Sequence, residues 1–152
     1  MKKGFTLPEI VVAVAFFGIL VALVTISLFN ARGQTVRGAT IDVLAADLKE
    51  QQIKTMSGAN NSSYGVFLET SKYTLFDGST FTPGASTNFE IELDTSISIS
   101  GILFPNSIIV FEKGSGEVVG FAAGQNSFVV NLTPGNTFKT VTINRFGAVD
   151  IQ

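Results

Sequence analysis

The chain of 152 residues contains no cysteine, no histidine and no tryptophan. Without cysteine no disulfide can staple the fold, and no thiolate is available as nucleophile or metal ligand. Without histidine the commonest general base and the commonest transition-metal ligand are both missing. Ser–His–Asp and Cys–His arrangements and His/Cys zinc sites are therefore excluded. Charge is scarce too: 14% of residues are charged, against 45% hydrophobic. From residue 30 onward, eight Lys or Arg face eleven Asp or Glu, a net of −3. Such a surface offers nucleic acid no bulk attraction.

The carboxylates that remain do not form a reaction centre. Glu90 and Glu92 alternate on one strand, with Asp94 continuing the face, and they read as a solvated strand face. Gly114-Ser115-Gly116 lacks the lysine and the helix start of a phosphate loop. No catalytic residue, no metal ligand and no cofactor is expected, and the chain reads as a non-enzyme.

What the chain does have begins at its N-terminus, MKKGFTLPEIVVAVAFFGILVALVTISLFN. From Ile10 to Phe29 run twenty residues without a charge. At about 1.5 Å per residue they span roughly 30 Å, the thickness of a bilayer core. A removable signal peptide has a shorter apolar region and a small-residue cleavage site after it, so the run reads as a membrane anchor. Gly18 is the one weak helix point within it. Lys2 and Lys3 on one side nearly balance Arg32 and Arg37 on the other, so charge alone does not orient the span. Glu9 stands at the edge of the apolar run. A carboxylate at the centre of a membrane helix costs about 2.5–3.5 kcal/mol, and less near the interface, so such a residue calls for a partner.

Beyond Asn30 a helical pattern continues with a polar face. Val36, Ile41, Leu44, Ala45, Leu48 and Ile53 fall near helical spacing, with Asp42, Asp47, Lys49 and Glu50 between them as the solvated side. Gly58 and the Asn60-Asn61-Ser62-Ser63 run predict the helix end near Ser57-Gly58. The rest reads as short strands near 64–69, 72–76, 89–93, 96–103, 108–112, 117–121, 127–132, 139–144 and 148–151. Phe89-Glu90-Ile91-Glu92-Leu93 alternates as a half-buried strand does. Turns are expected at Lys113-Gly114-Ser115-Gly116 and Thr133-Pro134-Gly135-Asn136. Most of the fourteen Phe residues outside the apolar run should fill a core. The fold class is α+β: a long N-terminal helix, first transmembrane and then amphipathic, packed on a C-terminal antiparallel β-rich head. The expected divisions are a leader 1–4, a membrane helix 5–29, its amphipathic continuation 30–58 and a head 59–152.

A basic leader, Gly4, then Phe5-Thr6-Leu7-Pro8-Glu9 and a long apolar helix together resemble the prepilin signature of type IV pilins and type II secretion pseudopilins. The resemblance implies cleavage between Gly4 and Phe5 by a membrane prepilin peptidase and N-methylation of Phe5. It implies that Glu9 neutralises the N-terminal amine of a neighbouring subunit, which removes two costly isolated charges at once. Pro8 departs from the usual aliphatic residue but falls in the first helical turn, where its missing N–H loses little. Ile26 stands where many major pilins carry a helix-kinking proline. Further along, Phe111 to Gly116, Phe128 to Leu132 and Thr140 to Gly147 resemble the heads of GspH/FimT-like minor pseudopilins.

The implied function is a minor subunit of a type IV pilus, competence pilus or type II secretion pseudopilus. Its implied partners are the peptidase, other pilin subunits, an inner-membrane assembly platform and the lipid bilayer. The implied topology has the N-terminus inside and the head extracytoplasmic. Two alternatives remain open. One is a filament-tip subunit that binds DNA or a surface, for which Lys139 and Arg145 are the only C-terminal cations. The other is a single-span anchored domain unrelated to filaments.

Overall fold

The computed structural model describes residues 7–133 and 137–152. Gly4 and Phe5 of the expected cleavage site lie outside the described residues, as do Pro134-Gly135-Asn136 and the side chains of Phe29 and Val36. A single helix, α1 (Leu7–Met56), opens the described chain. The chain divides into two compact units, Met1–Gly38 and Ala39–Gln152, and α1 contributes to both.

In the second unit, Ile41, Leu44, Leu48, Gln51 and Thr55 are buried along α1. Spacings of three and four residues put them on one stripe. The apolar members join Val66, Leu68, Ile109, Phe111, Phe128 and Val141 in one core cluster. The helix stops where glycine permits a left-handed residue: Gly58 has φ +68°, and its N–H bonds the Thr55 carbonyl at 3.2 Å.

Among the described residues eight strands follow in two antiparallel sheets. The first contains β1 (Tyr64–Leu68), β2 (Lys72–Asp77), β3 (Phe89–Glu92) and β5 (Ile108–Phe111), in the order β3-β2-β1-β5. The second contains β4 (Ile97–Ser100), β6 (Ser127–Leu132), β7 (Thr137–Ile143) and β8 (Val149–Ile151), in the order β4-β6-β7-β8. Val66 stands opposite both Leu75 and Ile109, and Phe128 opposite Val141. Strand alternation thus turns one face of each sheet to the core. On the other face of the first sheet Phe67 stacks on Phe81 at 4.2 Å, and Phe76 meets the same ring edge-on at 5.5 Å. Gly65 lies between strands on that face. A Cβ there would come within 2.6 Å of the Ile109 carbonyl oxygen and 2.5 Å of the Phe76 ring, so no larger residue fits.

Several expectations need correction. The strand expected at 117–121 is an isolated bridge between Val118 and Phe111. Gly116 and Gly120 take left-handed conformations on either side of it and leave no room for a longer ladder. The strand expected at 96–103 is cut to Ile97–Ser100 by Gly101, with φ +55°. Ile53 is exposed, not part of the core stripe. Five residues after Leu48, it sits well round the helix from the stripe. Asp47 is half-buried and bonded to Tyr73, not merely solvated. Phe89 on edge strand β3 is 65% exposed, so that strand is less buried than its alternation suggests. Phe138 and Phe146 are likewise exposed rather than core.

Candidate functional site

In the first unit the helix from Leu7 to Thr25 is long and apolar enough to cross a membrane, and none of it is buried. It is the one such helix among the described residues. Exposure of its large apolar side chains runs from 43% at Leu20 to 77% at Leu7, with Ile10 at 53%. Fully burying one such side chain is worth about 1.5–3 kcal/mol, so this segment demands a lipid or protein surround. The hydroxyl of Thr25 donates to the Val21 carbonyl at 2.7 Å, which satisfies it without water. A Cβ on Gly18 would meet nothing within 4 Å. Glu9 falls in the first turn of α1, where a carboxylate also complements the positive end of the helix dipole. Pro8 occupies that turn as well.

In the second unit Gln52 binds two distant turns to the helix. Its Nε2 donates to the Gly116 carbonyl at 2.9 Å and to the Phe146 carbonyl at 2.6 Å, while its Oε1 accepts from Lys49 Nζ at 2.8 Å. Both turns approach so closely because glycine stands in each. A Cβ on Gly147 would lie 2.2 Å from Gln52 Nε2, and one on Gly116 would lie 2.5 Å from Met56 Cγ. Both glycines also have positive φ, +75° and +70°. Thr55 completes the junction: its Oγ1 donates to Gln51 O at 2.8 Å and accepts from Tyr64 N at 3.0 Å. Sequence reading missed Gln51, Gln52 and Thr55. The glycine-containing stretches Phe111–Gly116 and Thr140–Gly147 were the available signal, because their final glycines meet at Gln52.

This arrangement of helix and two sheets has a counterpart among solved structures. Over 76% of its length the chain matches 94% of the minor pseudopilin EpsH from the Type 2 Secretion System of Vibrio cholerae, with a TM-score of 0.51 and 13% sequence identity. The fold is pilin-like. No protein-family model and no curated protein sequence matches the chain.

On the pilin-like head the charged residues are tied locally. Lys72 bonds Glu90 at 2.8 Å, which together with Glu69 and Glu92 nearby raises its pKa above the ordinary value. The hydrogen bond with Ser96 holds Asp94 below the usual carboxylate range. The Tyr73 hydroxyl donates to Asp47 at 2.5 Å. Burial, reinforced by that carboxylate, pushes the phenol well above its ordinary value. Arg145 pairs with Glu117 at 3.1 Å, and its side chain is 66% exposed. Lys139 lies exposed on β7 and has no partner among the described residues. The two cations singled out for DNA are thus one already paired and one single. No group of three or more acidic side chains that could hold a metal occurs among the described residues.

Proposed function

We propose that the chain is a filament subunit of the minor pilin or pseudopilin kind. It is cut between Gly4 and Phe5, methylated on Phe5, held in the inner membrane with the head outside, and then assembled through α1. The observation that carries this reading is the wholly exposed apolar helix Leu7–Thr25 with Glu9 in its first turn, on a chain of pilin-like fold. Apolar side chains exposed around the whole helix suit a bilayer before assembly and a bundle of like helices after it. Glu9 meets the new amine of a neighbour, and the pairing sets the register of each arriving subunit. An assembly platform and the other subunits of the filament are the partners this role requires.

Co-expression with a prepilin peptidase and intact-mass measurement tests the reading. The expected product has lost Met1 to Gly4 and gained one methyl group. A chain left uncut by its native peptidase sinks the filament reading and leaves a single-span anchored domain.

A further inference from the structure

An open groove of about 520 Å³ lies in the second unit between α1 and the edge of the first sheet. Its apolar lining includes Val43 from α1, Leu75 from β2, and Phe89 and Ile91 from β3. Val43 and Phe89 are more than half exposed, because β3 is the outermost strand of its sheet and α1 leaves it uncovered. Asp47 stands on the helix wall and Asp77 at the end of β2. Glu50 and Lys54, both in the helix wall of the groove, are paired with each other at 2.6 Å. Asp47 accepts a hydrogen bond from the neutral Tyr73 hydroxyl, and neither Asp47 nor Asp77 has a cationic partner among the described residues. The groove therefore suits a long aliphatic side chain that ends in a positive charge: the stem covers apolar surface while the head meets carboxylate.

The head carries such a side chain unspent. Lys49, Lys54, Lys72, Lys113 and Arg145 all have hydrogen-bond or ion-pair partners. Lys139 is exposed and has none among the described residues. It sits on β7 in the second sheet and is not among the residues that line the groove. We propose that the groove of one copy receives Lys139 of a second copy, with its stem over Leu75, Phe89 and Ile91 and its ammonium between Asp47 and Asp77. Two different surfaces of the same chain meet in this contact, so it is heterologous and repeats from copy to copy instead of closing on itself as a two-fold dimer does. The contact rests on the filament reading and adds to it a specific joint between heads.

The chain has no cysteine, so engineered thiols report without background. Full-length Asp77→Cys and Lys139→Cys chains, each with its own tag, are co-expressed in membranes and oxidised. The expected result is a mixed-tag disulfide at least fivefold above that of Asp77→Cys with Asp150→Cys. Leu20→Cys in one tag with Val24→Cys in the other, the four-residue offset that pairing Glu9 with the amine of Phe5 sets, reports whether helices lie side by side. If the Leu20–Val24 pair forms and the Asp77–Lys139 pair stays at control level, the groove contact is overturned while the filament reading stands. If neither pair forms although intact mass shows the loss of Met1 to Gly4, the contact between copies is overturned while the filament reading stands, and a chain left uncut sinks the filament reading itself. In a second arm Asp77→Lys should reduce recovered assemblies at least fivefold, and Lys139→Asp in the same chain should restore them. Loss without rescue would mean that another protein's cation fills the groove, which overturns the second-copy contact.

Discussion

From Leu7 to Thr25, α1 buries none of its side chains, whereas between Ile41 and Thr55 the same helix has a stripe almost wholly enclosed. Leu48 and Thr55 are completely inaccessible there. The first stretch is apolar on all sides and satisfies its only hydroxyl internally through Thr25. The second mixes apolar and polar residues and hands its polar ones to distant backbone: Gln52 to Gly116 and Phe146, Thr55 to Tyr64. One helix thus follows two rules of solvation. Where the surround is supplied from outside, the chain spends no hydrogen-bonding side chain on specificity. Where it builds its own core, buried polar groups fix which turns come to the helix.

The largest expected effect breaks the comparison at its outer end. Glu9→Ala should leave peptidase cleavage intact and lower filament recovery tenfold or more, read by shearing and immunoblot. Equal recovery would remove the proposed role of Glu9. Next, Leu48→Ala should destabilise the head by about 2–5 kcal/mol, the usual cost of a truncated core leucine, while Leu20→Ala should leave head melting unchanged. Thermal unfolding of the full chain in detergent separates the two, and a similar loss at both positions would show that the two stretches are not independent. Gly147→Ala should cost about 2–4 kcal/mol, combining left-handed strain with loss of the Gln52 bonds. Gln52→Ala should then add little on top of it, because both changes break the same junction.

The smallest effect is one of pH. The Tyr73 phenol is raised above its ordinary value of 10.0, so the native state holds the proton more tightly than the unfolded chain does. The stability this supplies is complete below about pH 10 and is lost as pH rises through the higher native value. Phenolate absorbance and melting followed from pH 9 to about pH 12 should show an alkaline loss that Tyr73→Phe lacks. An unchanged alkaline profile in Tyr73→Phe would assign the effect elsewhere.

Much of this was legible in the residues, for local reasons. The apolar run, the helix end at Gly58 and the spans of β1, β2 and β6 all follow from periodicity and turn chemistry within a few residues. The α+β class followed from the order of those elements, and the pilin-like reading from the resemblance of the N-terminal motif. The buried face of the helix was misread because Ile53 is apolar and Gln52 is not, and only partners 64 and 94 residues away reverse their roles. The sheet order was not legible either: β1 pairs with β5 across four intervening elements, and nothing local announces it. Of the site, Glu9 was read from its place beside the apolar run. Gly4 and Phe5 rest on motif alone, and Lys139 and Arg145 looked equivalent until Glu117 claimed the arginine.

The Gln52 junction also has a meaning in time. The amide that anchors the helix must wait for Phe146, 94 residues further along the chain. Until then the Lys113–Gly116 turn has only half of its final surroundings, and the last turns of α1 lack their tightest long-range tie. Folding dominated by such distant closures is slow. A chain that enters the membrane N-terminus first would therefore have its anchor in place well before its head sets. The junction locks only when the turn that carries Phe146 arrives.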